Sequence, residues 1–420
     1  METVDILIKN ANELITLKGQ NKPRIKKEMS NLGIINKGSI AIKDGKIFDL
    51  GKNLKYKSEN VIDAKDKTAM PGFIDPHTHL VFAGSREFEL DMKLKGLTYM
   101  DILKKGGGIV YTVSKTRKAT NSELIKQSKT RLDNMLLYGT TTCEGKSGYG
   151  LNTETEVKIL KIQKILNEKH PMDIVSTFLG AHTIPQEMDA EEYVNVVISE
   201  MLPKVKKLAR YCDVFCEKGV FTIKQSKKIL EAGKSHGLIP KIHADEIVDT
   251  GGAALAADVG AISADHLLMS NDNGLKQMAK KRVIGVMLPG TPFSLMLKDY
   301  APARKMIDIG VPLALATDLN PNCWIENMQF IIQLACLNMK MKPAEAITAA
   351  TYNAACAIGL NDTVGSLEKE KQADIIILDC PNYKFIPYHI GINLVETVVK
   401  KGTVIINKPK KLKNREYIIP

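Results

Sequence analysis

No Cys-x-x-Cys pair occurs in this chain, and its 7 cysteines are dispersed over 420 residues without the close spacing of a disulfide framework. A chain of this length builds its own core and needs no covalent staples, so the free thiols point to a reducing cytoplasm. Charge of one sign is not segregated either. The 59 Lys and Arg outnumber 47 Asp and Glu for a net +12, but the two signs are interspersed and aromatic residues make up only 5%. With no DNA- or RNA-binding signature, a nucleic-acid role is disfavoured. The densest basic stretch, PKKLKNRE near the C-terminus, reads as a solvated tail. METVDILIKN lacks a basic region followed by an apolar one, and no later run of membrane-spanning length is free of Pro, Gly or charge. The expectation is a soluble cytoplasmic protein with no membrane partner.

Histidine is also scarce, at 8 residues, yet PGFIDPHTHLVFAGSRE (71–87) spends two of them two positions apart after a short apolar run. Alternate side chains of a strand share a face, so His77 and His79 project together while Thr78 turns away. Two imidazoles on one side of one strand are half a metal site.

Both ends of the chain read as β. VDILIKNANELIT and SIAIKDGKIFDLG alternate apolar and polar residues, and Asp44-Gly45 marks a hairpin. ADIIILDCP and VETVVKKGTVIIN repeat the pattern near the C-terminus, the second turning at Lys401-Gly402. One small domain built from 1–67 and 358–420 is the economical division, leaving 68–357 between. There, short β-rich runs alternate with segments of helical periodicity such as SELIKQSKTRLDNMLLYG and AEEYVNVVISEMLPKVKKLAR. Eight runs follow in order: GFIDPHTH, GTTTCEGKSGYG, DIVSTFLGAH, CDVFCEKGVF, IPKIHADE, AISADHLL, VIGVMLPGTP and VPLALATDLN. Eight βα units over roughly 280 residues predict an α/β chain with a TIM barrel, whose chemistry gathers where the strands end. A doubly wound sheet would want a Gly-rich turn after its first strand, where His-Thr-His stands instead.

His77 and His79 end the first run, His182 the third, His243 the fifth, His266 the sixth and Asp318 the eighth. A single histidine at a strand end is commonly a satisfied core group, but five of the 8 on one barrel face form a pattern. His77, His79, His243 and Asp318 could supply the three or four ligands of a catalytic metal site. Glu246, three residues after His243, is then a further ligand or an acid/base group, and Asp265-His266 offers polar groups near the open position. Two runs imitate phosphate loops. In GTTTCEGKSGYG, Gly139 and Gly145 stand six apart where a Walker loop needs five, so it reads as a substrate loop; KKGGGIVYT lacks G-x-G-x-x-G and reads as a mobile loop over the site.

PGFIDPHTH, HADE, DH and ATD between terminal β segments resemble the amidohydrolase superfamily. That resemblance implies a distorted TIM barrel with a small β-sandwich domain from both termini. FAGSREFE, GLTYMDI, GGGIVYTV, TTTCEGKSGYGL, FLGAH, DVFCEKGVF, KIHADE, SADHL and TDLNPN, in this order, are similar to the imidazolonepropionase family within it. The resemblance implies hydrolysis of the ring amide of 4-imidazolone-5-propionate to N-formimidoyl-L-glutamate, one zinc or iron ion per subunit, and a homodimer. It assigns His77, His79, His243 and Asp318 to the metal, and Arg86, Tyr149, His182 and Glu246 to substrate, with Asn320, Asn322 and Cys323 along the last loop. In that loop TDLNPN-C stands where Gly followed by Ser or Thr is usual, so side chains are added at Asn322 and Cys323.

Chemistry agrees with these roles. A propionate tail asks for a planar cationic fork, which Arg86 supplies better than Lys would. Tyr99 and Tyr149 are candidate hydroxyl donors or stacking partners. Water activated by the metal would attack, with His266 polarising the carbonyl or placing the water, Asp318 accepting the proton and Glu246 protonating the leaving nitrogen. The resemblance implies that two-metal relatives carry a bridging carbamylated lysine on the fourth strand; CDVFCEKGVF places no lysine securely inward, Lys218 lying next to the strand end, so one metal is expected rather than two. The rivals are a deaminase of a neutral base, against which Arg86 argues, and a catalytically dead scaffold, against which the intact ligand set argues.

Overall fold

The structure, a computed structural model, describes residues 2–19, 21–97 and 99–408, the side chains of residues 99, 100 and 103 excepted. Residues 409–420, including the basic stretch PKKLKNRE, lie outside the described residues. The N-terminal part supplies β1 (Ile6–Ile15), β2 (Ile34–Lys43), β3 (Lys46–Lys52), β4 (Asn60–Asp63) and β5 (Thr68–Pro71). The barrel strands follow as β6 (Phe73–Asp75), β7 (Thr140–Lys146), β8 (Asp173–Ala181), β9 (Tyr211–Cys216), β10 (Ile239–Ala244), β11 (Ser263–His266), β12 (Ile284–Met287) and β13 (Leu313–Leu315). The C-terminal part adds β14 (Ile375–Leu378), β15 (Val395–Lys400) and β16 (Thr403–Asn407).

Strands from both ends of the chain form one sheet in the order β16-β15-β14-β5-β1-β2-β3, with β4 alongside β1. Two tight turns set its hairpin registers. Asp44 and Gly45 have φ of 52° and 74°, and Lys401 and Gly402 have 49° and 73°, the paired left-handed conformation that matches strand twist. Alternation divides the sheet's faces. Ile6, Ile8, Ile40, Ile42, Ile375 and Ile377 enclose a small core of their own, while Ile376, Leu378, Val395 and Val398 join the barrel core around Phe73 and Cys143.

The second sheet is parallel and runs β6 to β13 in chain order, the predicted barrel. All eight predicted strand positions are occupied. Helices cover its outside. Asn121–Leu137 opens on a capping box in which the Thr120 side chain accepts from the Glu123 N–H and the Glu123 carboxylate accepts from the Thr120 N–H, and it buries Leu124, Leu132 and Met135. AEEYVNVVISEMLPKVKKLAR forms Ala190–Val196, Val197–Met201 and Leu202–Val205 in unbroken succession. The run KKGGGIVYT departs from its predicted loop: a helix, Gly108–Lys118, begins at the third glycine. The cause is distant in sequence rather than local, because the Glu89 carboxylate accepts the Gly108 N–H at 2.7 Å. Among the described residues no helix is long and apolar enough to cross a membrane.

The seam between β6 and β13 closes just beyond the strands. His79 N–H donates to the Leu319 carbonyl at 2.8 Å, and the buried Asp75 carboxylate accepts from the Thr317 N–H and hydroxyl at 3.1 and 2.5 Å. At the opposite end of the barrel the terminal sheet is fastened by charge. Lys400, 2% exposed, donates to Asp173 at the start of β8 and to Asp374 beside β14, both at 2.6 Å. Removing one partner of a buried ion pair leaves the other without compensation, at a cost of about 3–5 kcal/mol. Lys400→Met is expected to lower stability by about 3 kcal/mol, read as a shift of the urea midpoint; a loss under about 1 kcal/mol would remove this contact from the list of fastenings.

Candidate active site

Parallel strands point alternate residues inward, and here the inward residues are charged. Glu144 and Lys146 share a face of β7, Lys241 and His243 share a face of β10, and Asp213 and Asp265 enter from β9 and β11, all of them buried. Opposite-face neighbours such as Cys143, Val214, Ile242 and Ala264 lie in the apolar core.

The imidazoles sit at the strand ends above this charged axis. His77 Nδ1 is 2.6 Å from Asp265 Oδ2, and His243 Nδ1 is 3.1 Å from Asp213 Oδ2. An ionised carboxylate only accepts, so each histidine is held as the Nδ1–H tautomer with a lone pair on Nε2. Those two Nε2 atoms are buried with no hydrogen-bond partner among the described residues, as is His79 Nδ1. Ligand atoms of His77, His79 and His243 lie within 4.8 Å of one another. Asp318 completes the group, its Oδ1 3.5 Å from His77 Nε2 and 3.6 Å from His79 Nε2, while Thr291 donates its hydroxyl to Oδ2 at 2.5 Å. Buried lone pairs without donors are costly unless something accepts them, and a divalent cation is what this set of nitrogens and an oxygen can bind.

Electrostatics keep the imidazoles neutral. Burial, aided by neighbouring cations, depresses His77, His79 and His243 well below the ordinary histidine range, and burial brings His182 and His266 down to about 4. The carboxyls move the other way. Burial, reinforced by Asp318 and Glu217, pushes Glu246 up to about 8, and burial pushes Asp318 up to about 6. Glu246 Oε2 faces His266 Nε2 at 3.6 Å. Asp245, His266, Leu267 and Asp318 all have positive φ, between 51° and 75°, so the backbone leaves the strands in conformations that non-glycine residues seldom adopt.

Most of the remaining predicted residues converge on this end. His182 stacks on His79 with ring centroids 4.7 Å apart and donates from Nδ1 to the Gly148 carbonyl at 3.1 Å, leaving Nε2 as an acceptor. Tyr149 lies against both rings, at 5.5 Å from His79 and 5.3 Å from His182. Arg86 is buried but already engaged: its Nε and Nη2 donate to Glu89 at 2.7 and 2.8 Å. That leaves the Nη1–Nη2 edge of the guanidinium for a second anion. Asn320 ties the last loop, its Oδ1 accepting from the Asn322 and Cys323 N–H groups at 2.7 and 3.0 Å. The Cys323 side chain is fully buried against the Thr317 carbonyl and Ser294, so the loop can meet a ligand there only through backbone. Asp265 stands beneath His77 rather than beside the open position expected for it. The Tyr99 side chain lies outside the described residues.

Several contributors were not legible in the sequence. Lys93 donates to Asn322 Oδ1 at 2.7 Å and feels both Arg86 and Glu89, adding a second cation beside the last loop. Glu156, fully buried, accepts the N–H groups of Gly148, Gly150 and Leu151 at 2.9, 2.7 and 2.9 Å and so shapes the loop that carries Tyr149. Only the two-residue alternations Glu144/Lys146 and Lys241/His243 offered a signal that the barrel interior is charged.

The model of the amidohydrolase family matches residues 68–405. An imidazolonepropionase of Alkaliphilus metalliredigens is 53% identical over 416 residues, covering 96% of this chain and 99% of the relative. The chain belongs to the imidazolonepropionase family of amidohydrolases. An imidazolonepropionase of Geobacillus kaustophilus is likewise 53% identical, over 419 residues, covering 96% and 99%. Among solved structures, a zinc-bound adenosine deaminase of Xanthomonas campestris superposes with a TM-score of 0.73 at 16% identity, covering 98% of this chain and 95% of that one. At that identity the likeness shows the fold alone. The expected barrel with its terminal sheet is therefore met, as is the family.

Because Glu156 touches none of the histidines and acts through three backbone N–H groups, Glu156→Ala is expected to loosen the Tyr149 loop. Losing charge-assisted bonds of about 1.5–3 kcal/mol should raise KM by at least tenfold while leaving bound metal unchanged; steady-state kinetics with elemental analysis checks this, and unchanged KM would refute it.

Proposed function

We propose that this chain hydrolyses the ring C–N bond of 4-imidazolone-5-propionate to N-formimidoyl-L-glutamate, with one zinc or iron ion held by His77, His79, His243 and Asp318. The observation that supports it most is the coincidence of two carboxylate-pinned histidines with bare Nε2 atoms and end-to-end relatedness to proteins named imidazolonepropionase. Nitrogen and carboxylate ligands suit either metal. One ion rather than two is supported by β9, where Lys218 is exposed and the inward position is Asp213. We take the enzyme to be a homodimer, as the family resemblance implies, and cytoplasmic, in keeping with its dispersed free cysteines.

An ion in this place supplies Lewis acidity, making water a nucleophile near neutral pH and polarising a carbonyl oxygen. The protein's residues do the rest. Arg86 receives the propionate on its Nη1–Nη2 edge, with Glu89 fixing the other edge and Lys93 adding attraction nearby. Tyr149 and His182 line the ring, and the His182 Nε2 lone pair accepts a ring N–H. His266, neutral at physiological pH, polarises the ring carbonyl. Asp318 Oδ1 takes a proton from the attacking water, its other oxygen steadied by Thr291. Glu246, whose raised pKa keeps it protonated near neutrality, delivers a proton to the departing ring nitrogen. The ring opens to a carboxylate and a formimidoyl group.

The test is to add freshly generated imidazolone propionate to metal-loaded protein and follow loss of its ultraviolet absorbance, with a chelated sample alongside. Decay that depends on metal and yields formimidoylglutamate is expected; no decay in loaded protein, with turnover of a neutral base instead, would replace the proposal by a deaminase. Arg86→Ala is expected to raise KM at least 100-fold, on the order of the 3 kcal/mol of a charge-assisted pair, with kcat less affected. Untouched KM would eliminate the carboxylate clamp.

A further inference from the structure

The charged axis beneath the imidazoles contains a second arrangement with the geometry of a cation site. Three carboxylates from three strands surround one point: Glu144 of β7, Asp213 of β9 and Asp265 of β11. The point is filled by the Lys146 ammonium, whose Nζ is 3.2 Å from Glu144 Oε1, 2.7 Å from Asp213 Oδ2 and 3.2 Å from Asp265 Oδ2. All four side chains are fully buried. Asp213, His243 and Asp265 also have ligand atoms close enough together to hold a metal ion.

We propose that the Lys146 ammonium stands in for a second cation beneath the candidate metal centre, and that this side chain confines the barrel to a single ion. The inference rests on reading His77, His79, His243 and Asp318 as a one-ion centre. Three points carry it. First, the partners of Nζ are three carboxylate oxygens, donors that suit hard divalent cations such as Mn²⁺, whereas the histidine group above is nitrogen-rich. Second, the charges call for a cation at this point. Glu144, Asp213 and Asp265 face Lys146 and Lys241, the latter 2.7 Å from Glu144 Oε2, so one net negative charge remains under the imidazoles. Third, the oxygens that meet Lys146 are the ones that meet histidine: Asp265 Oδ2 is shared with His77 Nδ1, and Asp213 Oδ2 with His243 Nδ1. A cation at this point is the common partner that holds both carboxylates in place beneath the histidines. An ammonium supplies it from within the chain, which makes Lys146 a positioning residue acting through Asp213 and Asp265.

The test counts ions. Wild type and Lys146→Ala, each loaded with Zn²⁺, are exposed to Mn²⁺, passed through a desalting column, and analysed for total metal and for Mn²⁺ by electron paramagnetic resonance. Wild type is expected to retain one ion per chain and Lys146→Ala two, with Mn²⁺ raising the thermal midpoint of the variant by several degrees and not that of wild type. Deleting the ammonium alone adds a net negative charge, so Lys146→Ala combined with Glu144→Gln, which restores the balance, is prepared in parallel and is expected to bind its second ion about tenfold more weakly. Wild type retaining a second buried ion, or either variant folding with only one, overturns the proposal. If neither variant folds as purified, recovery of fold on adding Mn²⁺ supports it, and failure to recover overturns it. A wild type that holds no ion while the variant takes up Mn²⁺ would strike the one-ion centre and leave the role of Lys146 standing.

Discussion

The imidazoles of His77 and His243 turn bare nitrogens toward the barrel mouth only because carboxylates hold their other nitrogens. That constraint orders the rest of the site. Asp265 and Asp213 must stay ionised in a space from which water is excluded, where an isolated carboxylate would take up a proton instead. Burial raises the Asp213 carboxyl above its ordinary range, and Lys146 and Lys241, buried with the pair, favour the charged forms, Lys146 bridging both. The β-strand period makes this possible, since residues two apart on β7 and β10 put Glu144 with Lys146 and Lys241 with His243 on the inward face. Barrel interior and active site are thus one electrostatic structure rather than a scaffold with a site placed on top.

Much of this was readable in the sequence where spacing is local. Five of the eight barrel strands run into a histidine or aspartate at or just past their ends, so His77, His182, His243, His266 and Asp318 marked both those strands and the face on which they end. The turns at Asp44-Gly45 and Lys401-Gly402 were legible for the same reason, because a two-residue turn needs particular residues at adjacent positions. Partnerships across the barrel were not. His77 and Asp265 are 188 residues apart, and nothing near either one announces the other. The helix beginning at Gly108 has no local signature, because its N–H is satisfied by Glu89, nineteen positions away, rather than by a neighbouring side chain. The sequence offers Arg86 as a cationic fork, and its spacing of three from Glu89 is the local signal that one edge is taken.

The terminal sheet and the site occupy opposite ends of the barrel. Lys400, Asp173 and Asp374 anchor the sheet where β8 begins, and the apolar face of β14 and β15 packs near the starts of β6 and β7. This leaves the strands' C-terminal ends to the loops that carry Tyr149, Arg86 and Asn320. Glu156 and Glu89 serve the same purpose there, each converting a glycine-containing loop into a defined shape by accepting backbone N–H groups.

The seam of the barrel has a consequence of its own. β6 and β13 do not share a regular ladder; they meet through the Asp75–Thr317 contacts and the His79–Leu319 bond just past their ends. His77 and His79 stand on one lip of that seam and Asp318 on the other. An ion gripped from both lips would act as a clasp, and by mass action its free concentration would enter the folding equilibrium directly. Parting of the first and last strands and escape of the ion would then be a single event, which makes the youngest and oldest parts of the barrel, in order of synthesis, the pair that metal supply holds together.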